Sequence, residues 1–176
     1  KDNLVATFGN DPTRKTLALV GHSDVVPKHV SPRVEHGRVY GSGASDMQAA
    51  VAVFLDVLRE HQHTLAYNIK LIIYAREEGT ALHENGLHDL IHDKPEIMAT
   101  IDCAIVGEPT DNTIQLGCLG SLHMAVTVAG KAAHSARPWH GENALYKALP
   151  IITQLAATAP EEVMIKGLRF KEVMSI

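Results

Sequence analysis

Short apolar runs recur along the first hundred residues of the chain. Thr16–Gly21 and Asn68–Ala75 are almost continuously apolar, which is typical of strands that are covered on both faces of a sheet. Ile101–Gly107 has the same character and predicts a third buried strand.

The segments between these strands have a different period. Asp46–His61 carries apolar residues at helical spacing, and Ala81–Asp93 predicts a second, shorter helix. Ser23–Arg38 contains Pro27, Pro32 and Gly37 and predicts a loop. The alternation of strands and helices predicts an α/β domain with a mainly parallel sheet flanked by helices.

The pattern changes in the last third of the chain. Leu122–Gly130 alternates apolar and polar residues and predicts a half-exposed antiparallel strand. Gly141–Pro160 predicts an amphipathic helix, and Glu162–Ile176 predicts one or two further strands. We therefore expect a first domain over residues 1–118 and a smaller α+β domain over residues 119–176.

Composition narrows the classes of function. The chain has 176 residues, 45% of them hydrophobic, and a net charge of −4. Interspersed charges without a basic stripe argue against nucleic acid as a partner. No apolar run approaches the roughly 18 residues that span a bilayer, so no membrane contact is expected. We interpret Cys103 and Cys118 as reduced thiols of a cytoplasmic protein, with a disulfide as the alternative.

One histidine and four acidic residues follow the predicted strands, and a fifth acid, Asp46, opens the first predicted helix after a glycine turn. These residues are His22, Asp24, Asp46, Glu77, Glu78 and Glu108. The carboxyl ends of parallel strands meet at one edge of a sheet, so we expect these side chains to converge there. Five carboxylates in one cleft would repel each other unless a cation joined them. Mixed carboxylate and imidazole donors suit zinc, with cobalt or manganese as substitutes.

Each of these residues also has a plain structural interpretation. His22 could be a hydrogen-bonded core histidine, and Asp24 could belong to a turn. Asp46 stands where a helix N-cap belongs. The glutamates could be solvated strand ends. The metal hypothesis depends on all of the acids lying at the carboxyl edge of the predicted sheet.

The motifs in order resemble one known family. They are "GHSDVVP", "GSGASDMQ", "REEG", "VGEPT" and "GCLGSLHMAVTVAGKAAHSARPWHGENA". Together they resemble the co-catalytic zinc amidohydrolase and metallopeptidase family, which includes carboxypeptidases, aminoacylases and succinyl-diaminopimelate desuccinylases. The last of these motifs is most similar to desuccinylases of the actinobacterial kind.

The resemblance implies a role for each site residue. His22 and Glu108 would bind the first of two zinc ions, Glu78 the second, and Asp46 would bridge them. The peptide bond between Asp46 and Met47 would be cis. Asp24 would accept the ring N–H of His22 and orient it.

The family also implies groups outside the metal ligands. Glu77 would be the general base that takes a proton from the attacking water and gives it to the leaving amine. His134, from the smaller domain, would stabilise the oxyanion. Asn143 would contact the substrate. The smaller domain would serve as a lid and would join two copies into a homodimer.

Some family features have no counterpart in this sequence. Family members are about twice as long, which implies that the chain is a fragment that is inactive or nearly so by itself. No histidine follows His140 to provide the last ligand of the second ion. The usual "DMKGG"-like stretch reads "DMQAA" from Asp46 to Ala50.

The leading hypothesis is a metal-dependent hydrolase of an amide bond. It would cleave N-succinyl-L,L-diaminopimelate to succinate and L,L-diaminopimelate in lysine and peptidoglycan precursor synthesis. The alternatives are a related hydrolase of N-acyl amino acids, a carboxypeptidase or dipeptidase with the same metal core, and a non-catalytic metal-binding module.

Overall fold

A computed structural model describes residues 2–176 and divides the chain into two compact units. The boundary falls between Asn112 and Thr113, six residues before the boundary expected from the sequence. In the described part of the chain, no helix has both the length and the apolar character needed to cross a bilayer.

The first unit is built on a four-stranded mixed sheet. Its strands are β1 (Leu4–Phe8), β2 (Thr16–His22), β5 (Asn68–Tyr74) and β6 (Cys103–Val106), and their spatial order is β1-β5-β2-β6. β2 runs parallel to both β5 and β6, whereas β1 pairs antiparallel with β5. The predicted α/β class, with a mainly parallel sheet flanked by helices, is confirmed.

The two central strands are mostly apolar because both faces of the sheet are covered. One face contributes Ala18, Val20, Ile72 and Tyr74 to a core that includes Leu90 of the helix α2 (Gly86–Asp93). The other face contributes Leu19, Ile69 and Leu71 to a core that includes Leu58 of the helix α1 (Gln48–His61). Alternate residues of one strand thus enter opposite cores.

The remaining elements of this unit are short. They are the hairpin β3 (Arg33–Glu35) and β4 (Arg38–Tyr40), a 3₁₀ turn at Leu82–Glu84, and the helix α3 (Pro95–Met98). The hairpin lies partly in the segment that we expected to be a loop. Its strands have three residues each and are largely exposed, so they carry no apolar pattern for the sequence to reveal.

The expectation that the third strand is buried is wrong. Among the described residues, β6 pairs with β2 on one side only, and all four residues of β6 are exposed. Ile105 and Val106 are 49% and 53% exposed, respectively. The apolar run correctly predicted a strand, but its position at the sheet edge leaves it uncovered.

The second unit contains the helix α4 (Ala144–Ala156) and the hairpin β7 (Glu161–Ile165) and β8 (Leu168–Glu172). The helix and the two strands agree with the sequence pattern. The strand predicted over residues 122–130 is wrong: in this structure the segment is neither strand nor helix. An alternating strand needs a hydrogen-bonded neighbour, and among the described residues 113–176 only a bridge between Lys131 and Glu142 forms nearby.

Candidate metal centre

The structure brings six sequence-predicted residues together at the carboxyl edge of the sheet. They are His22, Asp24, Asp46, Glu77, Glu78 and Glu108. Two groups of potential ligand atoms each lie within 4.8 Å of one another, namely His22 with Asp46 and Glu108, and His22 with Glu77 and Glu78. The edge of the sheet therefore places one imidazole among carboxylates that come from four separate segments.

His22 is the centre of this cluster. It ends β2 and is completely buried. Its Nε2 atom lies 3.1 Å from Oδ1 of Asp46, 3.7 Å from Oε1 of Glu108 and 4.0 Å from Oε2 of Glu77. A single ring nitrogen thus faces three carboxylates that retain one third to one half of their exposure.

The other ring nitrogen of His22 is held by the main chain. Nδ1 lies 2.9 Å from the backbone carbonyl oxygen of Asp24, but 3.7 Å from the nearest oxygen of the Asp24 carboxylate. The expected contact with the carboxylate is therefore replaced by one with the carbonyl. An N–H at Nδ1 donates to this carbonyl and leaves the lone pair on Nε2, where the carboxylates gather.

The Asp24 carboxylate instead orders the strand end that carries the two glutamates. It accepts hydrogen bonds from the backbone N–H groups of Glu77, at 3.1 Å, and Glu78, at 3.0 Å. Burial acts to raise the pKa of Asp24, but these two hydrogen bonds, a third to its own backbone and the nearby His22 together lower it below its usual value. Asp24 therefore stays ionised and fixes the backbone from which both glutamate side chains project.

The crowding of charge shifts the pKa values of the groups around it. Burial raises the pKa of Glu108, and the nearby Asp46 and Glu77 carboxylates raise it further. Burial also raises the pKa of Glu78, again with the help of Asp46 and Glu77. Burial acts to lower the pKa of His22, but its hydrogen bonds to Asp24 and Asp46 and the nearby glutamates raise it overall. All three pKa values are raised, which is the direction that neighbouring carboxylates impose on both a carboxyl group and an imidazole.

Asp46 is not the N-cap of the helix that follows it. The helix α1 begins at Gln48 with Met47 as its cap residue, and no side chain caps it. The peptide bond between Asp46 and Met47 is cis, as expected. The Asp46 carboxylate is thereby left for His22 rather than for the helix terminus.

His134 and Asn143 both line an open pocket of about 790 Å³ within the second unit. Nδ1 of His134 accepts the backbone N–H of Ala136 at 3.1 Å, so the neutral ring carries its proton on Nε2. Asn143 is the N-cap of α4, and its side chain accepts the N–H of Leu145 at 2.9 Å.

One residue beside the cluster was missed at the sequence level. Met47 looked like an ordinary apolar position of the helix, but it is completely buried, and its sulfur lies 3.3 Å from the backbone nitrogen of His22. The available signal was its place directly after an acidic candidate ligand.

Two curated desuccinylases are similar in sequence to this chain. The succinyl-diaminopimelate desuccinylase of Corynebacterium glutamicum is 40% identical over 179 residues, which cover 99% of this chain and 48% of the relative. The desuccinylase of Acidiphilium cryptum is 33% identical, over 91% of this chain and 45% of the relative. The chain thus spans about half the length of these curated relatives.

A solved structure shares the fold. A tripeptidase from Staphylococcus aureus superposes with a TM-score of 0.57 at 20% identity, covering 96% of this chain and 50% of the tripeptidase. The sequence profile of peptidase family M20/M25/M40 matches residues 18–173, which include every residue of the acidic cluster. The chain therefore belongs to peptidase family M20/M25/M40.

Proposed function

We propose that the protein is a metal-dependent hydrolase that cleaves the amide bond of N-succinyl-L,L-diaminopimelate. The observation that carries the proposal is the convergence of Asp46, Glu77 and Glu108 on Nε2 of one buried histidine. The desuccinylases of Corynebacterium and Acidiphilium support the choice of substrate.

The donor set fits a divalent transition metal. It offers one imidazole nitrogen and several carboxylate oxygens. Burial, and after it the neighbouring carboxylates, raise the pKa values of Glu78 and Glu108, and a bound cation would favour their ionised forms. His22, Asp46 and Glu108 would hold one ion, and Glu78 would hold a second one that shares Asp46. Zinc is the proposed metal, with cobalt or manganese as substitutes. When bound, such ions polarise the amide carbonyl and lower the pKa of water.

Side chains of the protein would carry out the proton transfers. Glu77 would accept a proton from the water whose oxygen attacks the amide carbon, and would return it to the nitrogen as the C–N bond breaks. Succinate and the free amine leave. Asp24 would keep Glu77 in place through the N–H bond described above.

The second unit would contribute to the same reaction. The Nε2–H of His134 would donate to the oxyanion that forms on the carbonyl oxygen, and Asn143 would contact the substrate. We also propose that this unit acts as a lid and joins two copies into a homodimer in the cytoplasm. Exposed apolar side chains of α4, such as Leu145, Tyr146 and Leu149, support a covered face there.

Two measurements on the complete gene product test this proposal. Metal analysis after zinc loading should give two ions per chain, and succinate should be released from N-succinyl-L,L-diaminopimelate. Release only from other N-acyl amino acids would transfer the proposal to a related amidohydrolase. One ion or none, with no turnover of any acylated amino acid, would favour a non-catalytic binding module. The replacement of lysine and glycines by Gln48, Ala49 and Ala50 is the feature that favours this module.

A further inference from the structure

Met47 occupies the space directly behind the proposed metal centre. It follows Asp46 through the cis peptide bond and is completely buried. No element of the reaction proposed above uses it. Its neighbours are the backbone segments that carry three of the candidate ligands.

The sulfur of Met47 contacts the histidine segment. The backbone N–H of His22 points at this sulfur, with a distance of 3.3 Å between N and Sδ. The preceding residue is Gly21, where an added Cβ would come within 2.7 Å of the Met47 methyl carbon and 3.4 Å of its sulfur. A side chain at this position would force the Met47 methyl group to move.

The methyl group of Met47 contacts the glutamate segment in the same way. An added Cβ at Gly107 would lie 2.8 Å from the Met47 methyl carbon, 2.7 Å from Cβ of Ala50 and 3.0 Å from Cζ of Phe54. Gly107 donates its N–H to Val20 of β2 and directly precedes Glu108. The end of β6 is therefore packed against the same side chain as the end of β2.

These contacts connect the residues that must share an ion. We propose that Met47 is a positioning residue of the metal centre, whose side chain sets the spacing between His22, Asp46 and Glu108. The inference rests on the proposed metal centre. Interiors are close-packed, so a side chain that packs against the adjacent ends of β2 and β6 fixes the position of Asp46, the residue before it, relative to both strand ends. Groups behind metal ligands typically change metal affinity by about 10- to 100-fold when they are replaced.

Three variants separate volume from sulfur chemistry. Met47→Ala removes both the packed side-chain volume and the sulfur that accepts the His22 N–H. Met47→Leu keeps most of the volume and loses the sulfur. Met98→Ala is the matched control, because Met98 is a partly buried methionine that packs on the Ala18–Leu90 core. Each chain is titrated with zinc against a chelating dye, loaded with Co²⁺ for its visible spectrum, and unfolded thermally in EDTA.

We expect Met47→Ala to weaken zinc binding by about tenfold or more and to alter the Co²⁺ spectrum. Met47→Leu should recover most of the affinity if volume dominates. Met98→Ala should lower the unfolding temperature in EDTA and leave zinc affinity within about twofold. A Met47→Ala chain that folds and binds zinc as tightly as the Met98→Ala chain would overturn the inference.

A second pair keeps the inference testable if Met47→Ala does not fold. Gly21→Ala introduces a methyl group into the space of the Met47 methyl and should weaken zinc binding. In the double variant Gly21→Ala/Met47→Leu, the change in zinc affinity should differ from the sum of the changes in the two single variants. Unchanged zinc affinity in Gly21→Ala would also contradict the inference. The unsubstituted chain tests the proposed function separately: if it binds no zinc, the metal centre itself is wrong.

Discussion

Nε2 of His22 lies 3.1 Å from Oδ1 of Asp46, although the two residues are 24 positions apart in the chain. The imidazole is completely buried, while the carboxylate is about half exposed. The contact therefore joins the floor of the site to its rim. In the proposed metal centre, His22 and Asp46 would hold the same cation.

Glu77 and Glu78 are neighbours to which we assign different roles, and conservative substitutions should separate them. Glu77→Gln in the complete gene product should lower kcat by about 100-fold or more and leave metal content unchanged, because an amide cannot accept the proton. Glu78→Gln should lower metal content. Turnover and metal analysis are measured on the same samples. Loss of metal in Glu77→Gln with normal content in Glu78→Gln would mean that the two roles are reversed.

Asp24→Asn should destabilise the first unit by about 1–3 kcal/mol. The carboxylate accepts N–H groups from both Glu77 and Glu78, whereas an asparagine has one acceptor oxygen and would turn an NH₂ group toward one of these donors. Urea unfolding measures the change.

Asp11→Asn is the matched control for Asp24→Asn, since the exposed Asp11 carboxylate also accepts a backbone N–H, that of Thr13. Its cost should stay below about 1 kcal/mol because the site is open to water. Equal costs for the two variants would show that the Asp24 contacts do not order the glutamate segment.

The metal-free chain should become less stable as the pH rises from about 5 to about 8. The pKa values of Glu78 and Glu108 are raised from their ordinary 4.5, and that of His22 from 6.5, so the folded state binds more protons than the unfolded state in this range. The contributions of these groups are complete below their unfolded pKa values and are lost as the pH rises through the folded ones. The lowered pKa of Asp24 acts in the opposite direction, near and below its ordinary 3.8.

Urea midpoints in EDTA at the two pH values measure this dependence. Glu108→Gln removes one of the repelling carboxylates and should flatten the pH profile. Zinc should raise the midpoint most at the higher pH, where the ligands carry no protons. A midpoint that is independent of pH, or that rises with pH in EDTA, would contradict the electrostatic description of the cluster.

Asn143 combines a visible structural role with a proposed substrate contact, and two substitutions distinguish them. Asn143→Ala removes the N-cap of α4 and should cost about 1 kcal/mol of stability, whereas Asn143→Asp keeps the acceptor and should be nearly neutral. If Asn143 also binds substrate, Asn143→Asp should raise KM without changing the unfolding midpoint. Normal kinetics in Asn143→Asp would leave Asn143 with the capping role alone.

The sequence determined the elements with strong apolar patterns and the position of the acids after them. β2, β5 and α1 follow from runs and periods that depend on local chain geometry. His22, Glu77 and Glu108 follow from where β2, β5 and β6 end. The rule that parallel strands share a carboxyl edge was enough to gather the candidate ligands.

Only the tertiary structure decided which strands are buried and which distant side chains are in contact. β6 has the composition of a buried strand but lies at an edge, and residues 122–130 have the alternation of a strand but no hydrogen-bonded neighbour among the described residues. The His22 ring contacts the backbone carbonyl of Asp24 rather than the Asp24 carboxylate, and Met47 packs against both Gly21 and Gly107. These outcomes depend on contacts between segments distant in the chain, and periodicity along one segment carries no information about its neighbours in space.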